Sequence, residues 1–353
     1  MQKNRQDLTW QIAFTYMGAI VGAGFASGQE LLKFFVMFGV QGLAGTLFAG
    51  LMFAFLGWLI LKTVVREKMQ DYHHYLTYLF GKRIVPLVDI TLGLYLCLGL
   101  AVMLVASGSL FRELYGWPLW GGFTLTAVIV YIALLMGLEG ILWLNTALIP
   151  GLILMGLGVS GVYISRSGLE VEAVRSGVNL VGDNWLLATL LYVAYNLVTG
   201  VVILSSLGHT ASAGGTKGVI LGGLGLGIMA GVMSLALSLA GGIIAGQDIP
   251  MLILASRLHP AAGWVYSLAL WFALLTTALC DGYGLLQRMR TIFPYPRYIT
   301  VFLILLPTIP FIGWRFANVV GIVYPLLGYL GLVLLAAIIY RGLSWRKITG
   351  KRR

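Results

Sequence analysis

The chain has 353 residues, of which 59% are hydrophobic and only 10% charged, with a mean hydropathy of +0.93. A soluble domain carries about 25% charged residues, so this composition excludes a soluble enzyme or binding module and specifies an integral membrane protein. The formal net charge of +11 does not point to nucleic acid, because the basic residues sit in short loops and in the tail Arg341 to Arg353, the pattern of a membrane protein with its positive side in the cytoplasm.

The first apolar stretch, Leu8 to Phe38, is longer than the roughly 20 residues a helix needs to cross a bilayer. It begins a span too long for the apolar core of a cleavable leader, and no small-residue cleavage pattern follows it. Gly18, Gly22, Gly24 and Gly28 interrupt it at mid-depth, and Ser27, Gln29 and Glu30 follow. Glycine weakens the helical ladder where lipid tolerates no unpaired backbone, so this segment is expected to be a discontinuous helix whose freed amides and carbonyls face protein, water or a ligand. An amide-rich half-helix start at Gly22, Ala23 and Gly24 favours an anionic group, and freed carbonyls favour a cation.

Ten spans are predicted, at roughly 8–38, 42–65, 85–111, 117–137, 139–165, 184–207, 214–246, 261–290, 298–316 and 319–340. An amphipathic interfacial helix is expected within Arg66 to Arg83, and a short capping helix at Ile249 to Leu258. With the amino terminus inside, only Lys33, Arg112, Arg166, Arg175, Arg257 and Arg315 of the 23 Lys and Arg residues fall outside the cytoplasmic side. That asymmetry predicts both termini in the cytoplasm and an even number of spans. Laying Gly24 over Gly200 brings Tyr16 onto Tyr192 and sets Tyr195 to Gly200 against the first break. The halves, roughly 8–165 and 184–340, each hold five spans and therefore form an inverted repeat within a single transmembrane domain covering 1–353, with the sixth span broken like the first.

The eighth span carries Ala273, Thr276, Thr277, Cys280 and Asp281 within three turns. Adjacent hydroxyls supply oxygens to a hard cation, although a helical Thr also bonds its own backbone. Asp281 is the deepest carboxylate and would hold a cation, carry a proton, or pair with Arg5 or Arg288. Glu30 would form an outer gate with Arg257 or Arg315, or pair locally with Lys33. Asp89 is expected to meet an inner-loop base, Glu139 to be solvated in a turn, and Asn145 and Thr146 to be candidates for a cavity wall. Tyr95, Tyr192 and Tyr195 are candidate pocket residues. The adjacent His73 and His74 read as interfacial rather than as a zinc site. Leu221 to Gly227 reads as helix packing, and Cys97 and Cys280 imply no disulfide. Phosphate-loop, metalloprotease and serine-hydrolase motifs are absent from the sequence, as is any transition-metal site, so no cofactor and no enzymatic reaction is expected.

The run from Gly22 to Glu30, Gly-Ala-Gly-Phe-Ala-Ser-Gly-Gln-Glu, resembles the YkvI family of bacterial membrane proteins, and the overall plan resembles the LeuT-like fold of the amino acid–polyamine–cation transporter superfamily. That resemblance implies an all-α membrane fold with discontinuous first and sixth helices. It also implies a sodium site made from carbonyls at Gly18 and Val21 together with the eighth-span run matching Ala273, Thr276 and Thr277. A substrate carboxylate would bind the amides of Gly22 to Gly24, and the rest of the substrate would face Tyr195, Asn196, Thr199 and Gly200. Phe25 stands where the resembled family places the asparagine of a second sodium site, and Glu30 lies two residues beyond Gly28, the counterpart of that family's gating arginine. The expectation is a sodium-coupled symporter of a small organic solute, an amino acid or related zwitterion or amine, in the bacterial inner membrane. It would work by alternating access with no nucleic-acid or obligate protein partner. The alternatives are proton coupling through Asp281 or Glu30, and a ligand-sensing subunit that does not transport.

Overall fold

The structure is a computed structural model and describes residues 5–69, 72–136, 141–168, 170–175, 177–207, 215–292 and 295–349. Glu139 lies outside the described residues, as do the side chains of Arg5, Asn145 and Thr146. All regular structure described is helical. The first stretch is divided into α1 (Arg5–Ile20), α2 (Ala23–Ser27) and α3 (Gln29–Phe34). It is followed by α4 (Val40–Arg66), the short α5 (Tyr72–Phe80), α6 (Val85–Tyr115), α7 (Leu119–Met136) and α8 (Ile141–Arg166). Then come α9 (Trp185–Ser206), α10 (Gly215–Ala240), the short α11 (Pro250–Leu258) and α12 (Pro260–Ile292). The chain closes with α13 (Arg297–Leu305), which continues as a 3-10 turn to Phe311, and α14 (Phe316–Thr349). Seven of these helices are long and apolar enough to cross a membrane, so the protein is a multi-pass membrane protein.

Helix ends follow local chemistry. The Asn184 side chain caps α9 by accepting from the amides of Leu186 and Leu187 at 2.9 and 3.2 Å. A proline in the first turn starts α6, and Gly116, in the left-handed region, ends it. Between α2 and α3 the chain turns through Gly28 at φ +82°, a conformation that disfavours any side chain.

The helices contact one another in two groups. In one, α1, α4, α9 and α10 pack together; in the other, α6, α7, α12 and α13. Small residues set the closest approaches, because lipid offers no hydrophobic drive for helix association and packing must supply it. A methyl group added at Gly50 of α4 would lie 2.7 Å from the Cα of Gly227 in α10, which accounts for the glycine-rich run in that helix as packing. One expectation is corrected. The sixth predicted span, α9, is an unbroken helix from Trp185 to Ser206 rather than a discontinuous one. It holds the single glycine Gly200, and its polar side chains bond their own backbone: Asn196 Nδ2 donates to the Tyr192 carbonyl at 3.0 Å and Thr199 Oγ1 to the Asn196 carbonyl at 2.8 Å.

Candidate functional site

The break in the first stretch falls at Val21 and Gly22. Val21 N–H still reaches the Met17 carbonyl at 2.8 Å, but Gly22 N–H turns to Ile20 O at 2.9 Å and not to Gly18 O. The ladder resumes when Ala26 N–H bonds Gly22 O at 3.1 Å. The carbonyls of Gly18 and Val21 are thereby skipped by the α pattern. Gly18 and Gly22 are half-buried, whereas Ala23 and Gly24 are fully enclosed. Beyond the break, α2 packs on α12, and Tyr266 of α12 donates its hydroxyl to the Ala26 carbonyl at 2.5 Å.

On α12, Ala273 and Thr276 are buried and Thr277 is half-buried. Thr276 Oγ1 donates to Ala273 O at 3.1 Å, the ordinary behaviour of a helical threonine. Thr277 makes no hydrogen bond among the described residues. One turn on, Asp281 faces Gly99 of α6 so closely that a methyl group there would lie 2.5 Å from its Oδ2. Asp281 likewise has no hydrogen bond or ion pair among the described residues. The expected pairing with Arg288 does not form. Arg288 instead bonds the Asp89 carbonyl at 2.7 Å and the Tyr72 hydroxyl at 3.0 Å, and lies 3.7 Å from the Asp89 carboxylate.

Glu30 is also placed differently from expectation. It pairs with neither Lys33, Arg257 nor Arg315. Its side chain turns back toward α2, where Oε2 accepts the hydroxyl of Tyr195 and Oε1 lies against Gly24, in the space a side chain there would need. Tyr324 of α14 stacks on Tyr195 with ring centroids 5.1 Å apart and points its hydroxyl at the same glycine. Tyr95 of α6, one turn from Gly99, and Tyr324 are both within electrostatic reach of Glu30 and of Asp281. The structure thus gathers Gly24, Glu30, Tyr95, Tyr195, Tyr324 and Asp281 around one central region bounded by α2, α3, α6, α9, α12 and α14.

Tyr192 borders this region, edge-on to Tyr195 at 5.6 Å and within electrostatic reach of Glu30, and also packs in an aromatic cluster with Phe34, Phe35 and Phe53, at 5.6, 4.8 and 5.9 Å. Other expected members are engaged elsewhere. Asn196 and Thr199 are taken up by their own helix, and Gly200 lies beneath the Tyr16 ring, 3.4 Å from an added methyl. Lys33, almost fully enclosed, donates to the Val178 carbonyl at 3.1 Å.

Sequence reasoning missed a charged assembly where α6 ends and α14 begins. Asp248, with no exposed surface, accepts from Ser109 Oγ and Arg112 Nη2 at 3.3 Å, from Arg315 Nε at 3.4 Å, and from the amide of Ala317 at 3.1 Å. Glu113 Oε1 accepts the amides of Asp248 and Ile249 at 2.9 and 3.1 Å, and Arg315 also reaches the Gly246 carbonyl. This network ties the approach to α11 to both long helices. A signal was present: Arg112 and Arg315 are two of the six basic residues outside the cytoplasmic count, and an intramembrane acid near them is the natural partner.

No family model matches the chain. It is 29% identical to the membrane protein YkvI of Bacillus subtilis (strain 168), over 93% of this chain and 94% of that one. A second Bacillus subtilis (strain 168) protein, YyaD, is 27% identical, over 95% of this chain and 96% of its own. Both are described as uncharacterised. The chain is thus similar to both proteins over nearly its whole length. Among solved structures, the inward-facing conformation of Mhp1 matches with a TM-score of 0.67 at 16% identity, covering 95% of this chain and 75% of that one. A mutant of the Eremococcus coleocola manganese transporter matches with a TM-score of 0.57 at 14% identity, covering 97% and 82%. The chain therefore has the LeuT-like fold, and the structures that share it here are transporters rather than enzymes.

Proposed function

We infer that the protein is a sodium-coupled secondary transporter of a small organic solute, an amino acid or related zwitterion or amine, working by alternating access. The observation that carries this reading is the break at Val21 and Gly22, which frees the two carbonyls that a LeuT-like sodium site would use, Gly18 and Val21. Ala273, Thr276 and Thr277 would complete the shell from α12, and five or six oxygens suit a hard cation. The amides of Gly22, Ala23 and Gly24, with Tyr95 and Tyr195, would meet the solute. Asn196, Thr199 and Gly200 would join them only if α9 opened locally.

The ten-span inverted repeat is supported by the pattern of helix contacts. Taking α1–α3, α4, α6, α7 and α8 as the first half, the second half is α9, α10, α12, α13 and α14. Exchanging each member for its counterpart maps α1 on α10 to α9 on α4, and α8 on α12 to α14 on α6; both members of each pair are observed. The short helices obey the same exchange, since α5 touches α9 and α14 while α11 touches α2 and α8. On this reading 1–353 is one transport domain in the bacterial inner membrane with both termini cytoplasmic. One group of helices would rock against the other around the break.

Proton coupling is the second reading, favoured by the lack of any basic partner for Glu30 and Asp281 among the described residues. Among the described residues no group of three or more His, Cys, Asp and Glu is placed to hold a metal ion. Proteoliposomes separate the readings. Uptake of radiolabelled alanine, choline and putrescine is followed under an inward sodium gradient or an inward proton gradient. Sodium-driven uptake that disappears in Thr277→Ala is the expected result. Uptake that follows the proton gradient alone, and disappears in Asp281→Asn, supports proton coupling. Saturable binding without counterflow supports the sensing alternative.

A further inference from the structure

We propose that the cargo carries a positive charge unbalanced by a carboxylate of its own, an organic ammonium ion held between Glu30 and Asp281 and walled by Tyr95, Tyr195 and Tyr324. The inference rests on the reading of this region as the substrate site and narrows its chemistry. Four observations converge on it.

First, both carboxylates lie against glycines that make room for them. A methyl at Gly24 would collide with Glu30 Oε1, and one at Gly99 would lie 2.5 Å from Asp281 Oδ2. Two helices, α2 and α6, thus leave out a side chain just where a carboxylate oxygen is turned toward them. Second, neither carboxylate meets a basic group among the described residues. Glu30 has the Tyr195 hydroxyl and Asp281 has no hydrogen bond or ion pair among the described residues. A carboxylate in the membrane interior that lacks a partner is costly unless a cation arrives to meet it. Third, basic groups are directed elsewhere. Lys33, three residues from Glu30, sits within reach of Asp248 and Arg315, and Arg288 sits on Asp89. A zwitterion would have only backbone amides for its carboxylate, since among the described residues the side chains around this region supply one sign only. Fourth, the neutral wall is phenolic. Tyr195 and Tyr324 are stacked on one another at 25°, with the Tyr195 hydroxyl on Glu30 and the Tyr324 hydroxyl against Gly24. Phenolic oxygens can take the N–H donors of a primary amine, and aromatic rings lining a site attract ammonium ions.

Sodium at the Gly18, Val21 and Thr277 position would offset Asp281, one turn from Thr277, leaving Glu30 to the ammonium group. The two cations would then bind without repelling one another across an unscreened gap.

The test uses purified full-length protein in lipid nanodiscs and two probes that differ by one group. Choline is a quaternary ammonium alcohol; glycine betaine carries the same head with a carboxylate. Affinity is read by calorimetry in sodium and again in potassium. The expected result is choline binding at least about tenfold tighter than betaine, lost in Glu30→Gln and retained in Glu30→Asp, which keeps the charge. Betaine binding as tightly as choline, or choline affinity unmoved by Glu30→Gln in a variant that melts like the parent, overturns the proposal. Its failure is distinguishable from failure of sodium coupling, because choline binding that is equal in sodium and potassium removes the coupling ion and leaves the cationic cargo standing. Binding without flux likewise removes transport and keeps the site chemistry.

Discussion

Two regions of this molecule bury carboxylates and treat them in opposite ways. Asp248 is enclosed completely and is met by two guanidinium groups, a hydroxyl and a backbone amide. Glu30 is nearly as buried, 5% exposed, yet has a phenol for company, and Asp281, half-buried, has no bonded partner among the described residues. The chain had the means to pair them, since Lys33 lies one turn from Glu30 and Arg288 two turns from Asp281. Both bases go elsewhere. A buried ion pair that is fully bonded holds helices in register, and the Asp248 network joins α6, the approach to α11 and the start of α14. An unpaired buried carboxylate costs stability and is retained where something must bind. The comparison sets a structural clasp against the region proposed to receive the cargo.

The comparison can be broken most severely at the clasp. Asp248→Ala takes the shared acceptor from Arg112, Arg315, Ser109 and the Ala317 amide, and because both guanidinium groups are partly exposed the cost is about 3 kcal/mol, the lower end for a broken buried ion pair. The expected outcome is a large drop in melting temperature or loss of folded protein, seen by fluorescence-detected size exclusion in detergent. Wild-type stability in that variant would mean that the clasp is not structural. Next in size is Gly99→Ala. The added methyl would press on Asp281 Oδ2, and over-filling a packed interface costs about 1–3 kcal/mol. Here the central ligand affinity should fall more than the melting temperature does.

Glu30→Gln sharpens the contrast from the other side. Because no basic partner is orphaned, the variant should fold as well as the parent or better while losing ligand response, the reverse of Asp248→Ala. Tyr195→Phe removes the hydroxyl that Glu30 accepts and should cost about 1–3 kcal/mol at most, measured by denaturation in micelles. The smallest effect belongs to Thr276→Ala against Thr277→Ala. Thr276 is seen bonding its own helix, so its loss should alter stability slightly, whereas Thr277→Ala should leave stability unchanged and remove the sodium response.

Much of the architecture was legible because bilayer thickness and hydrogen bonding constrain it so strongly. The apolar runs predicted at 42–65 and 85–111 became α4 and α6, and the capping helix expected at Ile249 to Leu258 became α11. The break at Val21 and Gly22 was readable because four glycines in one segment leave the ladder little alternative. The supposed break at Tyr195 to Gly200 was not a break, because one glycine is insufficient and because Asn196 and Thr199 can bond backward along their own helix. Partner choice was the least legible part. Spacing pointed Glu30 to Lys33 and Asp281 to Arg288, but the direction of each side chain is fixed by helix packing, by Gly24 and Gly99 in particular. Asp248 escaped notice because its partners lie more than a hundred residues away along the chain for Arg112 and on a third segment for Arg315.

The central claim, that the broken first helix and α12 together make a cation site, is tested most directly by the melting temperature of the purified protein titrated with sodium chloride against potassium chloride. A ligand specific to the folded state adds about 2.7 kcal/mol of stability at a hundredfold excess over its dissociation constant. The account predicts a saturable rise with sodium, a flat response to potassium, and no sodium response in Thr277→Ala. Indistinguishable sodium and potassium curves in the parent protein, or an undiminished sodium response in Thr277→Ala, would contradict it.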